Sequence, residues 1–124
     1  MNQAVLTVLI AGLLPIVCAG IAKWGAKGYD NHAPRTWMAG QEGWRARADA
    51  AQQNSFEAFA PFASGVILSL YTGADATAVA QCGWFFVVIR LAYIYCYVKD
   101  LSTLRSIFWM LGLAAVIRLY ALAM

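Results

Sequence analysis

Four apolar stretches follow one another along the chain, and they limit what it can fold into more than any other feature. A helix needs about 20 residues to cross the hydrocarbon core of a bilayer, so the 124 residues hold four crossings and little else. The residues are 62% hydrophobic and only 12% charged, whereas a soluble domain is about 45–50% apolar. We therefore predict an all-α integral membrane protein in which residues 1–124 form a single domain.

The apolar stretches predict transmembrane helices at residues 4–22, 43–71, 76–98 and 106–123, arranged as an up-down bundle. The first stretch lacks the basic leading segment of a secretory signal peptide, so we expect it to be retained. The second begins as an amphipathic segment at Gly43 and turns apolar at Phe56. Its start should therefore project beyond the bilayer.

Basic residues concentrate around the connections that follow the first and third spans, whereas the only charged residue in the turn between the second and third spans is Asp75. Because cytoplasmic loops carry an excess of Lys and Arg, we predict a multi-pass protein with both termini on the non-cytoplasmic side. In a bacterium it would lie in the inner membrane. The net charge of +3 suits contact with anionic membrane lipids, and no feature indicates nucleic-acid binding. The basic residues in and beside these two connections are Lys23, Lys27, Arg35, Arg45, Arg47, Lys99 and Arg105.

The chain offers little metal-binding or disulfide chemistry. Cys18, Cys82 and Cys96 are an odd, scattered set inside apolar stretches, which is typical of small buried core residues. His32 is the only histidine and lies in a polar connection. We therefore predict no metal site and no disulfide framework.

Polar side chains share one face of the second predicted helix where it enters the membrane. At about 100° per residue, Arg47, Asn54, Glu57 and Pro61 fall within about 80° of one another. A carboxylate at this depth costs free energy and indicates a functional site with a partner to be found.

The third predicted helix supplies a matching face. Arg90, Tyr93 and Tyr97 recur at i, i+3 and i+7, and Arg90 lies about 12 Å from the end of the span by helical rise. We expect Arg90 to pair with Glu57. An interior salt bridge with tyrosines at the membrane interface would explain these residues without any ligand, but it leaves the other polar groups of the two faces unexplained.

Two segments carry a family resemblance. "NSFEAFAP" from Asn54 and "RLAYIYCYVKDLSTLRS" from Arg90 resemble the signature of the MAPEG superfamily, the membrane-associated proteins of eicosanoid and glutathione metabolism, which include microsomal glutathione transferases. The likeness covers nearly the whole chain in length, span count and motif order. Asn-x-x-Glu-x-x-x-Pro is matched on the second helix, Arg-x-x-Tyr-x-x-x-Tyr on the third, and Arg-Ser at the start of the fourth.

The resemblance implies a homotrimer with glutathione as co-substrate, bound between neighbouring protomers in the cytoplasmic half of the membrane. The second substrate would be a lipophilic electrophile or peroxide dissolved in the bilayer. Arg105 would be the catalytic residue, facing the sulfur and stabilising the thiolate. The remaining glutathione ligands would be Arg47, Asn54, Glu57, Arg90, Tyr93, Tyr97 and Ser106.

The chain departs from the family at one position, where Ala50 replaces a common arginine. Arg47, Arg35 or Lys27 could substitute for the lost carboxylate contact. We predict a glutathione transferase or peroxidase. Two alternatives stay open: a non-catalytic scaffold or lipid-binding member of the same fold, and a small four-span exporter, which usually carries its membrane glutamate in the first helix.

Overall fold

The computed structural model describes all 124 residues, and every regular element in it is a helix. Four of the helices are long and one is short, which agrees with the predicted all-α class. The helices are α1 (Asn2–Lys23), α2 (Pro34–Ala39), α3 (Gly43–Tyr71), α4 (Ala76–Val98) and α5 (Ser102–Ala123).

The helix bounds match the predicted spans except in two places. The last helix begins at Ser102, four residues before the predicted start, because the chain reverses within a single tight connection. Asp100 in that connection has a φ of 61°, and the amide of Arg105 already donates to Leu101 O at 2.9 Å. The short helix α2 was not predicted; Pro34 occupies its first turn, where a missing N–H has no cost.

Three helices, α1, α4 and α5, are long and apolar enough to cross a membrane. The 29 residues of α3 rise about 43 Å, more than a bilayer core requires. Its first half is polar, which lowers the mean hydropathy of the helix. A crossing by α3, and with it the four-span topology, therefore stays a prediction.

Among the four long helices, α3 and α4 lie at the centre of the bundle. These two contact each other, and both pack against α1 and α5, which lie on opposite sides and do not touch. In the core the rings of Phe62 and Phe86 stack with centroids 3.9 Å apart. The three cysteines are buried, as predicted.

Among the glycines of the protein, Gly83 makes the tightest contact, where α4 meets Thr7 of α1. Thr7 is fully buried, and its hydroxyl donates to Ala4 O at 2.7 Å. A Cβ at Gly83 would lie 3.1 Å from Thr7 Cβ and 3.2 Å from Thr7 Cγ2, and it would overlap Thr7 Oγ1. Only glycine lets the two helices approach this closely.

We expect Gly83→Ala to lower the free energy of unfolding by about 1–3 kcal/mol, because an added methyl overpacks a contact that cannot relax. Thermal unfolding of the detergent-solubilised protein measures the effect. Gly20→Ala is the matched control, since no atom lies within 4 Å of a Cβ there. The added change Thr7→Ala should recover part of the loss. Equal unfolding temperatures for the Gly83 and Gly20 variants would contradict the close contact.

Candidate functional site

Two adjoining cavities bring most of the predicted site residues together between α3, α4 and α5. One, of about 210 Å³, lies deeper along the helices, and the other, of about 310 Å³, lies near the α4–α5 connection. Asn54 and Trp109 border both, so we treat the cavities as one polar cleft. The predicted residues that line it are Asn54, Glu57, Arg90, Tyr93, Tyr97, Arg105 and Ser106.

Arg90 is the most deeply placed charge of the cleft. Its side chain is only 2% exposed. Its Nη2 donates to Ser55 Oγ at 3.3 Å, and its guanidinium lies 4.1 Å from the centroid of the Tyr93 ring. Ser55 is buried and passes its own hydroxyl hydrogen to Ala51 O at 2.7 Å. The cation is thus held by a hydroxyl and an aromatic face rather than by a carboxylate.

The expected ion pair between Glu57 and Arg90 is not formed within the chain. Glu57 is exposed and accepts a hydrogen bond from Asn54 Nδ2 at 3.4 Å. The reason is helical geometry. Ser55 and Glu57 are two positions apart on α3, and their side chains point about 200° apart around its axis. An arginine that contacts Ser55 therefore does not reach Glu57. The prediction of a direct ion pair in one chain was wrong, although both residues border the same cavity.

Asn54 carries an unpaired acceptor. Its Nδ2 donates to Glu57, but its Oδ1 is buried and has no hydrogen-bond partner. A buried polar atom left without a partner costs about 1–3 kcal/mol. The cleft therefore holds a guanidinium, that of Arg90, without a carboxylate partner, and an acceptor atom, Asn54 Oδ1, without a hydrogen-bond donor.

Two aromatic rings with a cation at each end form one wall of the cleft. The Tyr93 and Tyr97 rings meet edge to face with centroids 5.7 Å apart, and the Arg105 guanidinium lies 4.3 Å from the Tyr97 centroid. Arg90 occupies the other end of this series, over Tyr93. The two guanidinium groups are therefore held two rings apart, each against an aromatic face that fixes its direction.

Arg47 is the predicted site residue that the fold does not bring to the cleft. Its Nε donates to Val98 O at 3.1 Å, and it borders a different cavity with Trp44 and Lys99. Arg45 does the same for α1, with Nη1 donating to Ala22 O at 2.7 Å. Cations suit the unpaired carbonyls at helix C-termini. Both arginines thus fasten the start of α3 to the ends of its neighbours.

Sequence reasoning missed Trp109 and Ser55. Trp109 borders both cavities and is 43% exposed. Its spacing could have indicated this, because it lies at i+4 from Arg105 and so on the same face of α5. Ser55 carried no such signal, since a lone serine beside an apolar run usually bonds its own helix backbone.

Comparison with known families supports the resemblance on which these residues were chosen. The sequence model of the MAPEG family matches residues 4–124. The chain belongs to the MAPEG family. No curated protein matches it significantly. Membership of MAPEG, a membrane-associated family, agrees with the apolar helices and favours the MAPEG interpretation over the exporter.

The MAPEG cleft has the chemistry of a site for a small molecule of mixed charge. Arg90 and Arg105 can each bind an anionic group, Glu57 a cationic one, and Asn54 Oδ1 an N–H donor. Ser106 adds a hydroxyl at the Arg105 end, although its hydrogen is already given to Ser102 O at 3.2 Å. Such a site selects both the spacing and the sign of the charges on its ligand.

The observed contacts predict how Glu57 and Arg90 respond to substitution without ligand. Glu57→Gln should change the free energy of unfolding by less than about 0.5 kcal/mol, because the side chain is exposed and forms no ion pair. Combined with Arg90→Gln, its effect should add to that of the single change. Denaturant unfolding of the four proteins of the cycle measures the coupling. A coupling above about 1 kcal/mol would restore the direct pair.

Proposed function

We propose that this MAPEG protein binds glutathione in the polar cleft and catalyses its transfer to lipophilic electrophiles or the reduction of lipid peroxides. The single observation that carries the proposal is Arg90, a cation 2% exposed and without a carboxylate partner in its own chain. An unpaired buried charge is costly, and more so at membrane depth. A ligand carboxylate would remove that cost.

Glutathione has the complementary groups. It carries two carboxylates, an ammonium and two peptide N–H groups, and an extended tripeptide spans roughly 10 Å. One carboxylate would pair with Arg90, and the ammonium with Glu57. The unpartnered Oδ1 of Asn54 would accept a peptide N–H.

Arg105 would contact the glutathione sulfur, because it lies at the opposite end of the Tyr93–Tyr97 pair from Arg90, which would bind a carboxylate. Thiolate is the nucleophile in thiol chemistry, and a nearby cation favours it over the thiol. A guanidinium does this without losing its own proton, and stacking on Tyr97 keeps its plane in place. The thiol proton would leave to solvent through the open mouth of the cleft.

The apolar second substrate would reach the sulfur from the bilayer side. Trp109 borders the cleft next to exposed apolar residues of α5, among them Met110 and Leu113. A lipophilic molecule dissolved in the membrane could lie against this surface with its reactive carbon near Arg105. A membrane location would then concentrate the substrate where the thiolate forms.

A second candidate function, a non-catalytic lipid-binding or scaffold member, is favoured by one observation. Ala50 lacks the family's arginine, and Arg47, which could replace it, donates to Val98 O instead. Such a protein would retain the fold and lose the thiolate. Thiolate formation therefore separates the two candidates.

We expect Arg105→Ala to abolish the ultraviolet thiolate absorbance that wild-type protein develops with glutathione at neutral pH. Glutathione affinity should fall by less than about tenfold, or 1.4 kcal/mol, because Arg90, Asn54 and Glu57 still hold the peptide. Arg105→Lys should be intermediate, since a flexible point charge replaces a planar fork.

Arg90→Lys is the matched variant at the other end of the cleft. It should weaken glutathione binding by ten- to a hundredfold, as expected for a charge-assisted hydrogen bond, while any thiolate formed at saturation persists. Absence of thiolate absorbance from the wild-type complex would favour the scaffold.

We further propose that the protein is a homotrimer in which a neighbour closes the cleft. Both cavities open to the outside of the chain. Most ligand sites have volumes of about 300–1,000 Å³; the cavity of about 210 Å³ falls below that range, and the cavity of about 310 Å³ only just reaches it. Native mass spectrometry from mild detergent should give three times the chain mass of 13.5 kDa. A monomer that still binds glutathione would contradict the closure.

A further inference from the structure

A separate groove lies between α4 and α5, toward the end of the bundle away from the α4–α5 connection. Its volume is about 300 Å³. Arg118 and Gln81 are its long polar side chains, and both are exposed. Most of the remaining lining is apolar, including Phe85 and Leu111, which are 47% and 38% exposed. None of the glutathione-site residues proposed above borders this groove.

The polar and apolar parts of the groove are separated along the helix axes. Arg118 is five residues before the end of α5, which places it about 7.5 Å from the helix end. Phe85 and Leu111 lie deeper, about 14 Å from the start of α4 and about 18 Å from the end of α5. The groove thus has a cation near the membrane surface and apolar walls toward the middle.

Arg118 has no acceptor from its own chain. The thiol of Cys82, which also lines the groove, donates to Ala115 O at 3.2 Å and forms no hydrogen bond with the Arg118 guanidinium. No acidic residue lines the groove. An arginine in an apolar helix is costly unless it reaches an anion or the interface. The anion available at that level of a membrane is a lipid phosphate.

We propose that this groove binds one anionic phospholipid. The phosphate lies against the Arg118 guanidinium, whose planar fork matches two phosphate oxygens. The Gln81 amide donates to the headgroup, and one acyl chain follows the walls formed by Phe85 and Leu111. A headgroup that carries an ammonium fits less well, because the groove offers no carboxylate to receive it.

Lipid binding can be measured by native mass spectrometry of the purified protein titrated with dioleoyl-phosphatidylglycerol. We expect Arg118→Gln to weaken the lipid adducts about tenfold, as for a lost charge-assisted hydrogen bond, and Arg118→Lys to weaken them less. Lys99→Gln is the matched control, since it removes the same charge from the opposite end of α4 and should leave the adducts unchanged.

Ala114→Phe tests the apolar part without altering charge, because Ala114 is exposed and lines the groove. It should also displace the lipid, and its unfolding temperature reports whether the bundle remains intact. Diacylglycerol, which lacks the phosphate, should bind wild type and Arg118→Gln equally weakly. Equal phosphatidylglycerol binding by wild type, Arg118→Gln and Ala114→Phe would overturn the proposal. A lower oligomeric mass of Arg118→Gln would also overturn it, by showing that the groove receives a second copy of the chain.

Discussion

Arg90 places a buried guanidinium at the border of the polar cleft. An arginine offers five N–H donors, and Ser55 Oγ accepts one of them while Tyr93 covers a face. Arg90 is 2% exposed, and its hydrogen bond to Ser55 joins α4 to α3, whereas the Tyr93 ring lies on α4 itself. Arg90 also leaves donors free toward the cavity that Asn54 and Glu57 border. Arg90 thus has fewer hydrogen-bond acceptors in its own chain than its five N–H groups can use.

The aromatic wall turns this local requirement into two separate ends of a site. Arg90 rests on Tyr93, Tyr93 meets Tyr97, and Tyr97 supports Arg105, so each group restricts the next. Holding two cations apart on rigid rings favours a ligand with two separated anionic groups over a single anion. It also allows one cation to bind and the other to act on a reacting atom. This division of roles underlies the proposed glutathione chemistry of this MAPEG protein.

The arginines of the chain show how position gives one residue type different roles. Arg45 and Arg47 lie at the start of α3 and bond the carbonyls that end α1 and α4. Arg118 lies near the end of α5 with no partner in the chain, beside an apolar groove. The first two bond the carbonyls of helix ends, whereas the third is exposed and is available for the proposed lipid phosphate. Composition alone gives all of them the same charge and none of these roles.

The helices and the residues of the polar faces could be predicted from the amino-acid sequence. Apolar runs of bilayer length gave α1, α3 and α4 within a residue or two, and the spacing of Asn54 with Glu57, and of Arg90 with Tyr93 and Tyr97, placed each set on one face. The motifs in these segments also led to the MAPEG family. The short helix α2 and the early start of α5 were missed because local connections depend on a few backbone angles, such as that of Asp100.

The contacts between those faces could not be predicted, because they depend on how the helices pack. In the folded chain Arg90 donates a hydrogen bond to Ser55 and forms no ion pair with Glu57. Arg47 bonds the carbonyl at the end of α4, and Trp109 borders both cavities. The physical reason is that helical periodicity fixes the direction of a side chain about its own axis. The rotation of one helix against another is set by core contacts such as Phe62 on Phe86 and Thr7 on Gly83, which pattern alone does not reveal.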